Sequence, residues 1–263
     1  MIIKNYLSIC LISICSFISI ESHAQLRCDW RNKTDQLLKV NLLNFPLKTF
    51  NLEYERLLKP QASWGINAVF TPERDLPFKK QIIENIEDEN GIKTLNDLRL
   101  NQFSIIPFMK FYFGNNKPFT KFYVSPYIKY TRYTSSLDLY YQYLDISNPL
   151  EQKIVDVEIP LKATINSLSL GAAIGFQFNV FKNLYIDWKI IGNHYGILFG
   201  DGSGHSTSPL TPEMQEDIKQ DIESINDFPL YKFTPTVTAT DLEVKAKGAN
   251  IGVTSSLSIG FKF

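Results

Sequence analysis

From residue 250 to the end of the chain, side chains alternate in character at every position. Ile251, Val253, Leu257, Ile259, Phe261 and Phe263 share one parity, while Asn250, Gly252, Thr254, Ser256, Ser258, Gly260 and Lys262 take the other. In a β-strand successive side chains point to opposite faces, so such a strand is apolar on one face and small or polar on the other. Beyond residue 24 no run of about 18 apolar residues supplies a transmembrane helix. A chain of this kind crosses a bilayer only as a closed barrel, because closure pairs every backbone group inside the hydrocarbon.

The pattern recurs along the chain. Leu168, Leu170, Ala172, Ile174, Phe176, Phe178 and Val180 oppose Ser169, Gly171, Ala173, Gly175, Gln177 and Asn179. Leu184, Ile186, Trp188 and Ile190 alternate with Tyr185, Asp187 and Lys189, and Phe122 to Thr131 repeats the design. In the segment from Phe103 to Phe113, Ile106 and Phe108 break the polar face. Trp64 to Phe70, Leu38 to Leu42 and Phe50 to Glu55 are shorter examples. Strands are expected at 37–45, 48–58, 62–71, 102–113, 119–133, 161–180, 183–197 and 242–263.

The links alternate as well. Those at Lys59-Pro60-Gln61, Gly114 to Pro118 and Phe181-Lys182 are tight, whereas 72–101, 134–160 and 198–241 are long. Bacterial barrels put short turns on the periplasmic side and long loops outside. Starting from the periplasm, all three tight links fall inside and the long ones outside, with Phe45-Pro46-Leu47 as a short outer connection. The expected fold is all-β: an eight-stranded antiparallel up-and-down transmembrane β-barrel whose long outer loops carry short helices. Pro212 after Thr211 marks a helix start, with Met214, Ile218, Ile222 and Ile225 on one face. Ile82, Ile83 and Ile86 precede Asn90-Gly91, a turn signal. These apolar faces pack on the barrel mouth as a lid or dock an external partner.

Charge decides which face points inward. The polar faces collect Lys39, Glu53, Glu55, Lys110, Lys129, Asp187, Lys189 and Lys262, and their opposite faces are nearly charge-free. A secreted lipocalin-like barrel or sandwich would instead bury its apolar faces and leave the charges in water. The clean separation of charge favours the membrane barrel, with Glu53, Glu55, Lys110, Lys129, Asp187 and Lys189 as a lumenal charge network. An eight-stranded barrel is just wide enough for side chains to fill, so the network reads as structure rather than as a narrow pore.

The N-terminus carries Lys4, an apolar run from Leu7 to Ile20 and Ser22-His23-Ala24. This is a secretory signal layout, with cleavage expected between Ala24 and Gln25. The expected organisation is a cleaved signal at 1–24, a periplasmic segment at 25–36 and the barrel at 37–263. Cys10 and Cys15 fall within the signal and neither follows a small residue, so no lipid-attachment motif is visible. Cys28 remains without an internal partner. A formal net charge of zero removes the long-range attraction on which nucleic-acid binders depend.

Lys39-Val40-Asn41-Leu42-Leu43, then Phe50 to Arg56, then Pro107 to Phe113 carry a family likeness. The chain resembles the small outer-membrane barrels typified by the transmembrane domains of OmpA and OmpX. More narrowly it is similar to an outer-membrane barrel family of unknown function, with Lys110 where that pattern has arginine. The terminal Phe263, with Phe261, Ile259 and Leu257 on the same face, resembles the signal read by the barrel-assembly machinery. The resemblance implies an outer-membrane address, with outer-membrane lipid and that machinery as partners, and no activity.

Catalysis in such a barrel would sit near the outer rim. His194 is expected toward the upper end of its strand and His205 in the last long loop, close to Asp201, Ser203 and Ser206. Gly200-Asp201-Gly202-Ser203-Gly204 lacks the nucleophile elbow, which needs serine in third place, and reads as a flexible loop. No metal-ligand spacing and no cofactor motif is visible. The reading is a non-enzymatic barrel, structural or surface-binding, with any extracellular ligand or protein docking at the loops. The alternatives are a lipid-modifying or proteolytic rim enzyme using His194, or a narrow pore.

Overall fold

The computed structural model describes residues 35–76, 79–84, 89–114, 119–145, 153–224, 226 and 230–263. Ala24, Gln25, Cys28, Ile86 and Ile225 lie outside them. Nine strands form one antiparallel sheet: β1 (Gln36–Asn41), β2 (Phe50–Lys59), β3 (Ala62–Asp75), β4 (Arg99–Tyr112), β5 (Lys121–Asp145), β6 (Lys153–Phe181), β7 (Leu184–His205), β8 (Tyr231–Val237) and β9 (Asp241–Lys262). Each of β1 to β6 pairs with the next, β7 pairs with β9, and β9 pairs with β1. That ring closes an eight-stranded antiparallel barrel, as the alternation predicts. β8 stands outside the count and, among the described residues, pairs only with the upper part of β9.

The apolar parity faces outward all round the ring. Leu170 is 67% exposed while its neighbour Ser169 is 1% exposed. Trp64, Phe103, Ile128, Phe178, Ile197 and Val253 are likewise exposed. Along β6, Leu168 to Phe178 rises roughly 25 Å at ~3.3 Å per residue and a tilt of ~40°. Near the short-turn end Phe113, Phe122 and Phe176 form an outward aromatic row, with ring centroids 5.9 and 5.3 Å apart in succession.

Several expectations on boundaries are corrected. The link 134–160 is largely strand, because β5 and β6 continue pairing up to Asp145 and Lys153. β7 likewise runs on through Gly200 to Gly204, so that segment is not a loop. Gly200, Gly202 and Gly204 fall on the inward parity, while Asp201, Ser203 and His205 face out. The turn expected at Asn90-Gly91 is the start of a helix, α2 (Glu89–Asp97), which follows α1 (Lys79–Ile83). Near a helix start, glycine is less costly than in an interior.

A bulge in β7 also shifts the parity. Ile174 pairs with Ile191 and Gly175 with Lys189, leaving Ile190 as the extra residue. Before it Asp187 and Lys189 point inward; after it Gly192 and His194 do. A second feature concerns Pro107 and Pro126. In the β4–β5 ladder the recorded pairs skip both prolines, which can donate no backbone hydrogen bond. Both missing donors are thus gathered at one seam.

Above the apolar belt the inward face changes character. Val157 and Ile159 on β6 and Leu242 on β9 continue the lumenal parity but are apolar, and helix α3 (Pro212–Ser224) buries Met214 and Ile218 against them. α3 begins where the sequence indicates. Thr211 Oγ1 accepts the amide of Met214 at 3.3 Å and Pro212 occupies the first helical position. The apolar face of α3 is thus covered within the chain, on the inner surface of the extended strands. The free edge of β8 is blunted, since Asn226 accepts from the Phe233 amide at 2.6 Å and donates to its carbonyl at 2.9 Å.

Candidate functional site: the barrel lumen

The lumen is layered, and each layer follows from which residues hold the inward parity. At the short-turn end Leu37, Tyr112, Phe119, Tyr123 and Tyr185 form an apolar floor. Phe119 takes a left-handed backbone (φ 53°), uncommon for a bulky residue. Its ring is fully buried and meets Tyr185 edge-on at 6.0 Å.

Above the floor lies a buried ion cluster. Lys39 Nζ is 2.6 Å from both Glu55 Oε2 and Asp187 Oδ2, and it also contacts Glu53. Lys110 Nζ is 3.2 Å from Glu53 and 3.3 Å from Glu55, and it contacts Asp187. Two ammonium groups thus face three carboxylates. Hydroxyl donors disperse the remaining negative charge: Tyr123 donates to Asp187 at 2.7 Å, and Ser63 and Tyr112 donate to Glu55. Lys110 also sits 4.5 Å over the Tyr123 ring and 5.2 Å over Phe108. Phe108, which breaks the polar face in the sequence, is therefore a lumenal π-surface for the lysines.

The carboxylate oxygens of Glu53, Glu55 and Asp187 lie within 4.8 Å of one another, a spacing that can hold a cation. Lys39 already occupies that position. A buried ion pair stabilises only when its partners are near-ideally placed and fully hydrogen-bonded, and here each carboxylate has several donors.

Of the residues read from the sequence as a lumenal network, Glu53, Glu55, Lys110 and Asp187 are brought together. Among the described residues Lys129 and Lys189 join none of the ion pairs; they line a cavity above the cluster. Lys39, named among the polar-face charges but left out of the network, is its best-connected cation. Its inward parity on β1 was a usable signal; its reach to β7 was not.

His194 differs from expectation. It lies well inside β7 rather than at the rim, is 7% exposed, and faces Tyr127, whose Oη is 3.4 Å from Nδ1. Gly252 on β9 sits opposite. A Cβ there would lie 2.6 Å from the imidazole, so this close approach requires glycine. The strand extensions put His205 at the rim instead. His205 Nδ1 donates to Asp241 Oδ1 at 3.0 Å, holding that carboxyl below the usual aspartate range. Neighbouring Ser206 is buried and donates to the Ser208 carbonyl at 2.6 Å. Tyr140, high on β5, donates to Asp97 of α2 at 3.0 Å, and this carboxylate pushes the phenol up to about 12.

At the opposite end of the barrel, Ile259, Phe261 and Phe263 are outward and exposed, with Leu257 on the same parity.

No protein-family model matches the chain, and no curated protein sequence matches it. Among solved structures the chain is similar to the outer-membrane protease OmpT from Escherichia coli. The identity is 10%, over 88% of this chain and 93% of that one, with a TM-score of 0.29. A likeness that distant carries no argument about activity.

Proposed function

We propose that the chain is an exported outer-membrane β-barrel with a structural or surface-binding role and no enzymatic activity. The observation that carries this reading is the outward apolar belt around a lumen filled with paired charge. Placing that belt in water would expose a contiguous apolar surface far larger than soluble monomers tolerate. In lipid it satisfies the requirement for a closed, apolar exterior. The aromatic floor and the ion cluster below the cavity argue against conduction, as expected of a barrel this narrow. The extended β5–β6 hairpin, α3 and β8 build a folded surface beyond the belt, where an extracellular ligand or protein would dock. Insertion proceeds through the barrel-assembly machinery, with the Leu257, Ile259, Phe261 and Phe263 face as its signal.

One observation favours a second reading, an enzyme at the rim: His205 and Asp241 form an exposed imidazole–carboxylate pair. Against it, the adjacent Ser206 already spends its proton on a backbone carbonyl, and His194 is enclosed in the lumen. Envelope fractionation tests the main reading. The protein should fractionate with the outer membrane and run faster on a gel unheated than boiled. Recovery in the soluble periplasmic fraction would defeat it.

A further inference from the structure

Above the ion cluster the lumen opens into a cavity of about 340 Å³. Its lining includes four cationic side chains, Arg74, Lys110, Lys129 and Lys189, against one carboxylate, Glu53. Lys110 and Glu53 are committed to the cluster beneath. Lys129 and Lys189 pair with no carboxylate among the described residues. Arg74 lines the cavity beyond a register shift between Thr71 and Arg74; it donates through Nη1 to the Leu47 carbonyl, and its buried Nε has no partner among the described residues. Asn67 is 4% exposed on the cavity wall, and its Oδ1 is buried without a hydrogen-bond partner among the described residues. The cluster beneath carries one carboxylate more than its two ammonium groups. That is fewer negative charges than the cations above it, and such an excess of confined cations is costly at low dielectric. A bound anion supplies the missing counter-charge and an acceptor for the buried Arg74 Nε, and the Asn67 amide can turn its NH₂ toward it.

We propose that this cavity is a binding site for a small multivalent oxyanion, carrying phosphate or carboxylate groups, gripped by Lys129 and Lys189 with Asn67 and Arg74 beside them. Its volume lies within the ~300–1,000 Å³ usual for small-molecule sites. The cluster and the aromatic floor close it below, so the ligand enters from the loop end and does not pass through. The proposal goes beyond the surface-binding role, since this site is inside the barrel.

The test uses the protein purified from membranes in detergent, at ionic strength held constant with chloride. Inorganic phosphate and, separately, citrate are titrated while the temperature of the heat-modifiable transition is followed. A saturable upward shift with one or both is expected, and which anion acts distinguishes phosphate from carboxylate ligands. Lys129→Gln and Lys189→Gln should each weaken the midpoint at least about tenfold, the worth of one charge-assisted hydrogen bond. Lys129→Arg should retain binding, and Lys48→Gln, in an exposed turn, should leave it unchanged. Gel mobility of each variant reports barrel folding, so loss of the site is separable from loss of the barrel. No saturable response to either anion, or an undiminished response in the doubly substituted protein, overturns the proposal.

Discussion

Lys39 on β1 and Asp187 on β7, 148 residues apart in the chain, meet 2.6 Å apart inside the lumen. The contact ties the first strand to the seventh across the barrel interior, independently of the backbone ladders that close the wall. Lys39 also contacts Glu53 and Glu55, so removing it leaves three carboxylates with one ammonium. Lys39→Ala should destabilise the barrel by about 3–5 kcal/mol, the cost of an uncompensated buried charge. Adding Asp187→Asn should recover part of that loss, with a coupling of about 0.5–3 kcal/mol. Urea unfolding followed by gel mobility measures both. Strictly additive losses would mean that the two residues do not act as a pair.

The faces of β6 give a second test. A cysteine placed at Leu170 should react with a lipid-phase label, while one at Ser169 should be shielded. Arginine at Leu170 should cost roughly 2–4 kcal/mol if the site lies near the bilayer midplane. Equal labelling of the two cysteines would show that the faces are misassigned.

Much of this arrangement was legible in the sequence, because a period-two pattern with charge on one face reports both strand and orientation. That rule holds from Lys39 to Asp187 and fails above the belt. Val157, Ile159 and Leu242 face inward yet are apolar, because α3 rather than water or a charge partner covers them. Alternation continues through Gly200 to His205, but with glycine on the inner face it resembled a flexible segment. The Ile190 bulge left no local mark, since Ile190 and Ile191 are the same residue. Which lysines would find carboxylates was beyond the pattern, because parity gives a face and not a height. Lys129 and Lys110 share the inward face, and only their levels in the lumen separate the unpaired from the paired.

The α3 helix supplies a third prediction. Met214 and Ile218 are each 2% exposed, so Met214→Ala or Ile218→Ala removes about 2–5 kcal/mol of local packing. The ring of strands is closed by backbone ladders that do not include α3. Proteolysis in the segment between β7 and β8 should therefore accelerate while heat-modifiable mobility is preserved. Loss of the folded barrel band would show that α3 supports the wall itself.

Assembly gives a fourth. Phe263 is outward and 60% exposed at the end of β9, so it contributes little to lumenal packing. Deleting it, or substituting aspartate, should lower outer-membrane levels and lead to periplasmic degradation, measured by fractionation and immunoblot. Unchanged outer-membrane levels would remove Phe263 from the assembly signal.

The last prediction separates enzyme from non-enzyme. General acid–base catalysis contributes typically ~10²–10⁴-fold to a rate and requires a base within reach of its substrate. His194 is 7% exposed between Tyr127 and Gly252, in the middle of β7 rather than at the rim. His205 is accessible and paired with Asp241, yet Ser206 beside it donates to a backbone carbonyl rather than to the imidazole. His194→Asn and His205→Asn should therefore leave assembly, the lipid A mass spectrum and the cleavage of added peptides unchanged. His194→Asn should loosen only the Tyr127 contact, seen as a small shift in melting temperature. A lipid A or peptide product that depends on this protein and disappears with either substitution would make the rim enzyme the leading account, and it would assign the base to whichever histidine abolished the product.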